Sequence, residues 1–316
     1  MEQLSEQRIV GLDVGKAWLD GHLSSTGERF RFGNDPAGID ALVRRLGDST
    51  ACLVVMEASG GYERLPHREL IAHGVLAAIV NPKRVRDFAR SMGKEAKTDR
   101  IDAAVIAEYG RVVRPAPTPL PEPAKEGLAE ILACRRQTID EITVRRQQSA
   151  RLRTATAQER MAKALEFLEQ ERRELDRLLR RAIQADAGLE ADFQLLTSMP
   201  GCGPILAATL LAEMPELGTL DRRKIAALAG LAPIARDSGL RHGQRVIKGG
   251  RGQVRRVLYM AAIATLTHKD NPFKDRYQAL LDRGKPAKLA LVAVMRKMLV
   301  TLNAMMRNRQ RWISPA

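Results

Sequence analysis

Apolar residues follow two rhythms along this chain. From Arg8 to Asp13, and again over ACLVVMEA at 51–58, they form short continuous runs, the pattern of strands covered on both faces. The stretch from Trp18 to Phe32, interrupted at Ser25–Gly27, predicts a hairpin that continues from the first strand. Pro36 then opens a helix to Leu46, a second helix is predicted from about Tyr62 to His73, and Val75–Val80 is a further strand. Pro82 opens a basic helix to about Met92, and another helix is predicted over Asp99–Val113. Strand-helix alternation of this kind predicts an α/β sheet.

After Val113 the rhythm changes. Arg114-Pro-Ala-Pro-Thr-Pro-Leu-Pro-Glu-Pro places five prolines in ten residues, which no helix can continue through. From Ala124 to Ala187 there is no proline and no glycine but Gly127, and Met161, Leu165, Leu168, Leu175 and Leu179 recur at helical steps. The expected organisation is an α/β domain over 1–113, a proline-rich linker at 114–123, a helical coiled-coil arm over 124–187 and a mainly α domain over 188–316. Within the last, Met199-Pro-Gly-Cys-Gly-Pro before a small-residue helix suits a helix-hairpin-helix turn. The N–H groups around Gly201 and Gly203 would meet a phosphate there; a plain helix-helix turn explains the same letters.

A length of 316 residues with 45% hydrophobic content allows two or three globular units. The longest apolar run, Val257–Ala264, is far too short to span a bilayer, and MEQLSEQRIV has no signal-peptide pattern, so no membrane partner and a cytoplasmic location are expected. Cys52, Cys134 and Cys202 are widely spaced, which indicates neither a disulfide framework nor zinc. The formal charge of +15 is unevenly placed: residues 1–113 hold 16 basic and 16 acidic side chains, residues 241–316 hold 17 and 3. A neutral unit joined to a strongly basic one suggests separate catalytic and nucleic-acid-gripping work. The expected phosphate contacts are Arg241, Arg245, Lys248, Arg251, Arg255 and Arg256.

Four acids are candidates for chemistry. Asp13 sits in the apolar strand Ile9-Val-Gly-Leu-Asp-Val, where a carboxylate needs a partner or a metal. Glu57 ends the second apolar strand, and Asp99 with Asp102 projects from one face at a helix start. Each alone reads as a turn former or cap. Together they form the arrangement of a ribonuclease-H-like nuclease, because two Mg²⁺ ions require hard oxygen ligands. His22, His67, His73, His242 and His268 show no ligand spacing, and two tryptophans in a chain with 4% aromatic residues give no evident stacking platform.

GLDVGK, MEASGGYE and KTDRIDAAVIAEY, followed by SMPGCGPILAATLLAEM and LAGLAPIARDSGLRHGQRVIKGGRGQVRRVLYMAA, closely resemble the DEDD insertion-sequence transposases. That family includes bridge-RNA-guided recombinases and the Piv-type DNA invertases. The resemblance covers essentially the whole chain. It implies a RuvC-like N-terminal domain with Asp13, Glu57, Asp99 and Asp102 as ligands of Mg²⁺, and a C-terminal transposase domain in which Ser238 attacks DNA. A serine hydroxyl is a poor nucleophile near neutral pH, so the two domains would have to meet in a composite site. The partners implied are double-stranded DNA, a guide (bridge) RNA, and further copies of the chain, since rejoining two duplexes needs four cuts and hence a homodimer or homotetramer. Taken without the resemblance, Ser238 beside Asp237 is a turn-forming serine. The alternatives are a metal-only nuclease of the Holliday-junction-resolvase type and a non-enzymatic architectural protein that binds DNA or RNA. An actin-like phosphotransferase shares only the opening Asp-x-Gly strand.

Overall fold

The computed structural model describes residues 8–47, 52–93, 99–234, 245–267 and 271–313, with 99–101 by backbone only. The chain divides into two compact units, Met1–Pro121 and Glu122–Ala316.

Among the described residues, the first unit holds strands β1 (Arg8–Val14), β2 (Trp18–Leu23), β3 (Arg29–Gly33), β4 (Cys52–Glu57) and β5 (Leu76–Val80) in one sheet of order β3-β2-β1-β4-β5. β1, β2 and β3 form an antiparallel meander, while β4 and β5 run parallel to β1. Helices α1 (Pro36–Leu46), α2 (Arg64–Ala72), α3 (Pro82–Ser91) and α4 (Asp99–Val113) complete the unit. α1 and α3 begin alike: Asp35 and Asn81 accept from the N–H groups of Gly38 and Lys83, and a proline follows each cap.

Alternation along the strands sends side chains into two cores. Val10, Leu12, Leu19, Val54 and Met56 pack with Ile39, Leu42 and Leu70 of α1 and α2. Ile9, Leu53, Val55, Ala78 and Val80 pack with Val85, Ile106 and Tyr109 of α3 and α4. This accounts for the continuous apolar runs of β1 and β4, since both faces are covered. Part of the proline-rich stretch is bound to the free edge of β5. The Thr118 N–H donates to the Ala77 carbonyl at 2.8 Å, its hydroxyl accepts from the Ile79 N–H at 2.9 Å, and its carbonyl lies 2.9 Å from Nε2 of the buried His67.

The second unit opens with α5 (Pro123–Ser149) and α6 (Ala155–Gln184). Arg135 pairs with Asp176 at 2.5 Å and Arg146 with Glu169 at 2.6 Å, an order that makes the two helices an antiparallel hairpin. Leu128, Leu132, Leu175, Leu179 and Ile183 are buried at its base, whereas Met161, Leu165 and Leu168 farther along are only half-buried. There follow α7 (Ala187–Thr197), α8 (Pro204–Glu213), α9 (Arg222–Leu228), the two-residue strands β6 (Pro233–Ile234) and β7 (Val246–Ile247), α10 (Gly252–Thr265), α11 (Pro272–Asp282) and α12 (Ala287–Asn308). α12 is long and apolar enough to cross a membrane by composition, but Val294, Met295, Met298, Leu299 and Leu302 lie in the core of this unit, as in a central helix of a globular fold.

Candidate active site

The sheet register brings Asp13 and Glu57 to one edge. β1 and β4 pair in step from Arg8–Cys52 to Leu12–Met56, so the next step sets Asp13 beside Glu57. Glu57 in turn is opposite Val80, Asp13 is opposite Asp20, and Asp20 is opposite Arg31. One row thus crosses the whole sheet: Val80, Glu57, Asp13, Asp20, Arg31. Direct partners point to the same face, and Val80 belongs to the core under α3 and α4, so the row faces that side. Asp13, Glu57 and Asp20 are all half-buried.

Helix α4 approaches this face closely because two glycines permit it. A Cβ on Gly11 would lie 2.2 Å from the Ala103 carbonyl oxygen and 2.3 Å from the Ala107 nitrogen. A Cβ on Gly110 would lie 2.7 Å from Ile9 and 2.8 Å from Val55. The helix therefore runs antiparallel to β1, with Gly110 over Ile9 and Ala103–Ala107 over Gly11. Going from Gly11 to Asp13 advances about 7 Å along the strand. Going from the middle of Ala103–Ala107 to the middle of Asp99–Asp102 advances about 7 Å along the helix. The first turn of α4 consequently comes to the Asp13–Glu57 end of the sheet. Among the described residues, which leave out the Asp99 side chain, no group of three His, Cys, Asp or Glu is close enough to hold a metal ion.

The turns that follow the two strand acids are tied down by residues that sequence reasoning passed over. Asn34 Nδ2 donates to the Gly15 carbonyl at 2.8 Å and to the Tyr62 carbonyl at 3.2 Å, joining the turn after β1 to the turn after β4. Glu63 accepts from the Ser59 N–H and hydroxyl at 2.9 Å and from the Gly61 N–H at 2.8 Å. Burial raises the Glu63 pKa, but these hydrogen bonds outweigh it and hold the carboxyl below its ordinary value. A Gly-Gly pair with an acid two residues later is the only sequence signal for this turn. Asp20 is held by a two-pronged ion pair, Arg31 Nε and Nη2 each donating at 2.8 Å.

In the second unit, Ser238 and Arg241 lie outside the described residues, as does His242. The ends of their segment are paired as β6 and β7, Pro233 with Ile247 and Ile234 with Val246. Beneath that ladder two turns touch backbone to backbone: Gly250, at φ +67°, leaves no room for a Cβ, which would lie 2.2 Å from the Gly230 nitrogen. Arg251 and Arg255 spend donors inside the unit. Arg251 grips both carboxylate oxygens of Glu216 at 2.5 and 2.8 Å, and Arg255 Nη1 donates to the carbonyls of Gly249 at 2.6 Å and Ala229 at 3.3 Å. Burial pushes Glu216 up, but the Arg251 pair more than offsets it and its carboxyl stays below the ordinary range. Arg245, Lys248 and Arg256 are exposed.

Gly201 has φ +82°, and a Cβ there would lie 1.8 Å from the Thr265 hydroxyl, so packing against α10 accounts for this glycine. Gly203 caps α8 without a side-chain bond and, with Leu132, Ile205, Val257 and Met260, lines an apolar cavity of about 550 Å³.

Residues 10–158 match the DEDD transposase family model of the IS110 group, and residues 193–278 match the model described as Transposase IS116/IS110/IS902 family. The chain belongs to this transposase family, whose members are enzymes that cut and rejoin DNA. It is 27% identical to the pilin gene-inverting protein of Moraxella lacunata over 319 aligned positions, covering 95% of this chain and 96% of that protein. The pilin gene-inverting protein of Moraxella bovis is similar to the same degree. The 43.6 kDa protein of insertion element IS110 from Streptomyces coelicolor is 36% identical over 136 residues, 41% of this chain and 33% of that protein.

Proposed function

We propose that the first unit is a RuvC-like, RNase-H-like cutting domain in which Asp13, Glu57, Asp99 and Asp102 hold Mg²⁺, and that Ser238 of the second unit is the nucleophile for DNA strand exchange. The observation that carries the proposal is the close seating of α4 on β1, which directs a helix start bearing two acids to the strand edge bearing two more. The donor set fits the metal: four carboxylates, without thiol or imidazole, are the hard oxygen ligands that Mg²⁺ favours over zinc. When bound, two such ions would supply Lewis-acid stabilisation of charge on the phosphodiester.

The serine step follows from the chain's own groups. The Ser238 Oγ bonds to phosphorus as its proton leaves, the P–O bond to one deoxyribose breaks, and that oxygen departs as a hydroxyl. The resulting phosphoserine ester keeps the bond energy, so a new strand end can reverse it without ATP. The basic second unit, including Arg245, Lys248 and Arg256, grips the DNA backbone, and the α5–α6 hairpin forms an arm that serves assembly into a dimer or tetramer. A bridge RNA encoded beside the gene selects the target, as in guided relatives of the family.

The test uses full-length protein, Mg²⁺ and DNA carrying the segments that flank the gene, with and without RNA transcribed from them. Asp13→Asn is expected to abolish strand cleavage while DNA binding persists. Ser238→Ala is expected to lose a denaturant-resistant protein–DNA adduct and strand exchange. Full recombination by the alanine variant would leave the four acids and water as the whole chemistry, the metal-only nuclease reading. Recombination independent of the flanking RNA would remove the guide.

A further inference from the structure

We infer that the exposed outer part of strands β2 and β3, on the sheet face where the carboxylate row lies, is a shelf for an unpaired DNA strand leading to the cutting centre, with Trp18 as its stacking surface and Arg31 and Lys16 as its cations. The inference rests on reading the four acids as that centre.

Helix α4 seats on β1 through Gly11, reaches β4 through Gly110 and also packs on part of β2. Farther out on the same face, β2 presents Trp18 and Asp20 and β3 presents Arg29 and Arg31, because their alternates Leu19, Phe30 and Phe32 turn to the opposite core. Trp18 is 54% exposed, among the most open of the large apolar side chains described. Burying such a ring is strongly favourable, so an open indole beside a row of acids needs a physical reason. Sequence composition gave no sign of a stacking platform; the sheet register creates one by placing the indole next to an arginine from another strand.

The arginine is held for the purpose. Asp20 takes two of its nitrogens at 2.8 Å each, which fixes the guanidinium plane, and its central carbon sits 6.0 Å from the centre of the Trp18 ring. Lys16, exposed in the turn between Asp13 and Trp18, adds a cation three residues from the first acid. Arg31 lies two strands from Asp13, about 10 Å across the sheet. That span matches about three nucleotide steps of one strand. A flat aromatic face offers nothing to bases already stacked in a duplex, but it can take a base released from one, with cations on the phosphates to either side. The occupant is DNA because the shelf adjoins the acids of a DNA-cutting enzyme.

The chain has two tryptophans, and Trp312 is stacked on Phe273, so Trp312→Phe leaves Trp18 as the sole reporter with little change in packing. Full-length Trp312→Phe protein, without divalent metal, is titrated with a 20-nucleotide single-stranded DNA and with an RNA of the same sequence. Saturable quenching of the Trp18 emission by the DNA, weakened by Arg31→Gln, is expected. No quenching, or quenching by the RNA alone, overturns the inference.

In parallel, Trp18→Ala is expected to lower cleavage of the flank-bearing DNA by about tenfold at unchanged melting temperature, a loss of the size that one stacked base supplies. Trp18→Phe should recover most of that rate. Wild-type cleavage by Trp18→Ala, with Asp13→Asn inactive, refutes the shelf while leaving the cutting centre intact. Cleavage by Asp13→Asn refutes the cutting centre itself, whatever Trp18 does.

Discussion

Replacing Gly11 by alanine is the most direct perturbation of the helix seating on which the proposed four-acid site depends. The new Cβ would lie 2.2 Å from the Ala103 carbonyl oxygen, 2.3 Å from the Ala107 nitrogen and 2.8 Å from its Cα, all of them backbone atoms that no rotamer change can move. Ordinary contact starts near 3.4 Å, so α4 must retreat by about 1 Å. Over-packing of this kind costs about 1–3 kcal/mol. For a unit of this size, 2 kcal/mol corresponds to a melting temperature lower by about 10 °C. The chemical cost should exceed the thermal one: a 1 Å misplacement of reacting groups lowers rates by about a hundredfold. Gly127→Ala is the control, since that glycine lies inside α5 with nothing within 4 Å of its missing Cβ and should gain about 0.5–1 kcal/mol. Calorimetry and a strand-cleavage time course on both variants give the comparison. A Gly11→Ala protein that melts and cleaves like the parent would refute the claim that α4 is seated on β1 backbone to backbone.

Three further outcomes are expected. His67, buried with its Nε2 on the Thr118 carbonyl, has its pKa lowered chiefly by burial, so the unfolded chain takes up a proton more readily. Stability should therefore be full above the unfolded value near 6.5 and fall as pH drops below it, and the urea midpoint should decline from pH 7 to pH 5 in wild type but far less in His67→Gln. Gly201→Ala combines a left-handed backbone, at φ +82°, with a Cβ 1.8 Å from the Thr265 hydroxyl, and should cost about 3 kcal/mol by denaturant titration. Adding Thr265→Ala should recover the packing part and leave the backbone part, which a double-mutant cycle resolves. Full additivity would mean that the two positions do not meet.

Much of the first unit could be read from residue order, because β1 and β4 are buried on both faces and helices α1 and α3 announce themselves with an Asx cap and a proline. The acids stood out for the same reason: a charge in an apolar strand is costly and so conspicuous. Asp20, Arg31, Asn34 and Glu63 did not stand out, since their value depends on which residue lies opposite across a ladder or turn, and spacing along one strand carries no such information. Arg251 and Arg255 illustrate the reverse. Within a basic segment every arginine reads as a phosphate contact, whereas folding gives these two a carboxylate and a pair of carbonyls of their own. The α5–α6 pair was legible as a helical hairpin or coiled coil from its apolar stripe; the break between the two helices was not, because no proline or glycine marks it.

The tied ends of the segment between β6 and β7 bear on how relatives can diverge. Two ladder pairs, the Gly230–Gly250 contact and the Arg251–Glu216 grip hold Ile234 and Val246 together. Once a loop's ends are fixed, doubling its length costs only about 0.6 kcal/mol of closure entropy. The fold of the helical unit therefore sets no fixed length for positions 235–244, so relatives can differ in length on either side of Ser238, whereas insertions and deletions should be scarce in the turns that carry Gly230 and Gly250.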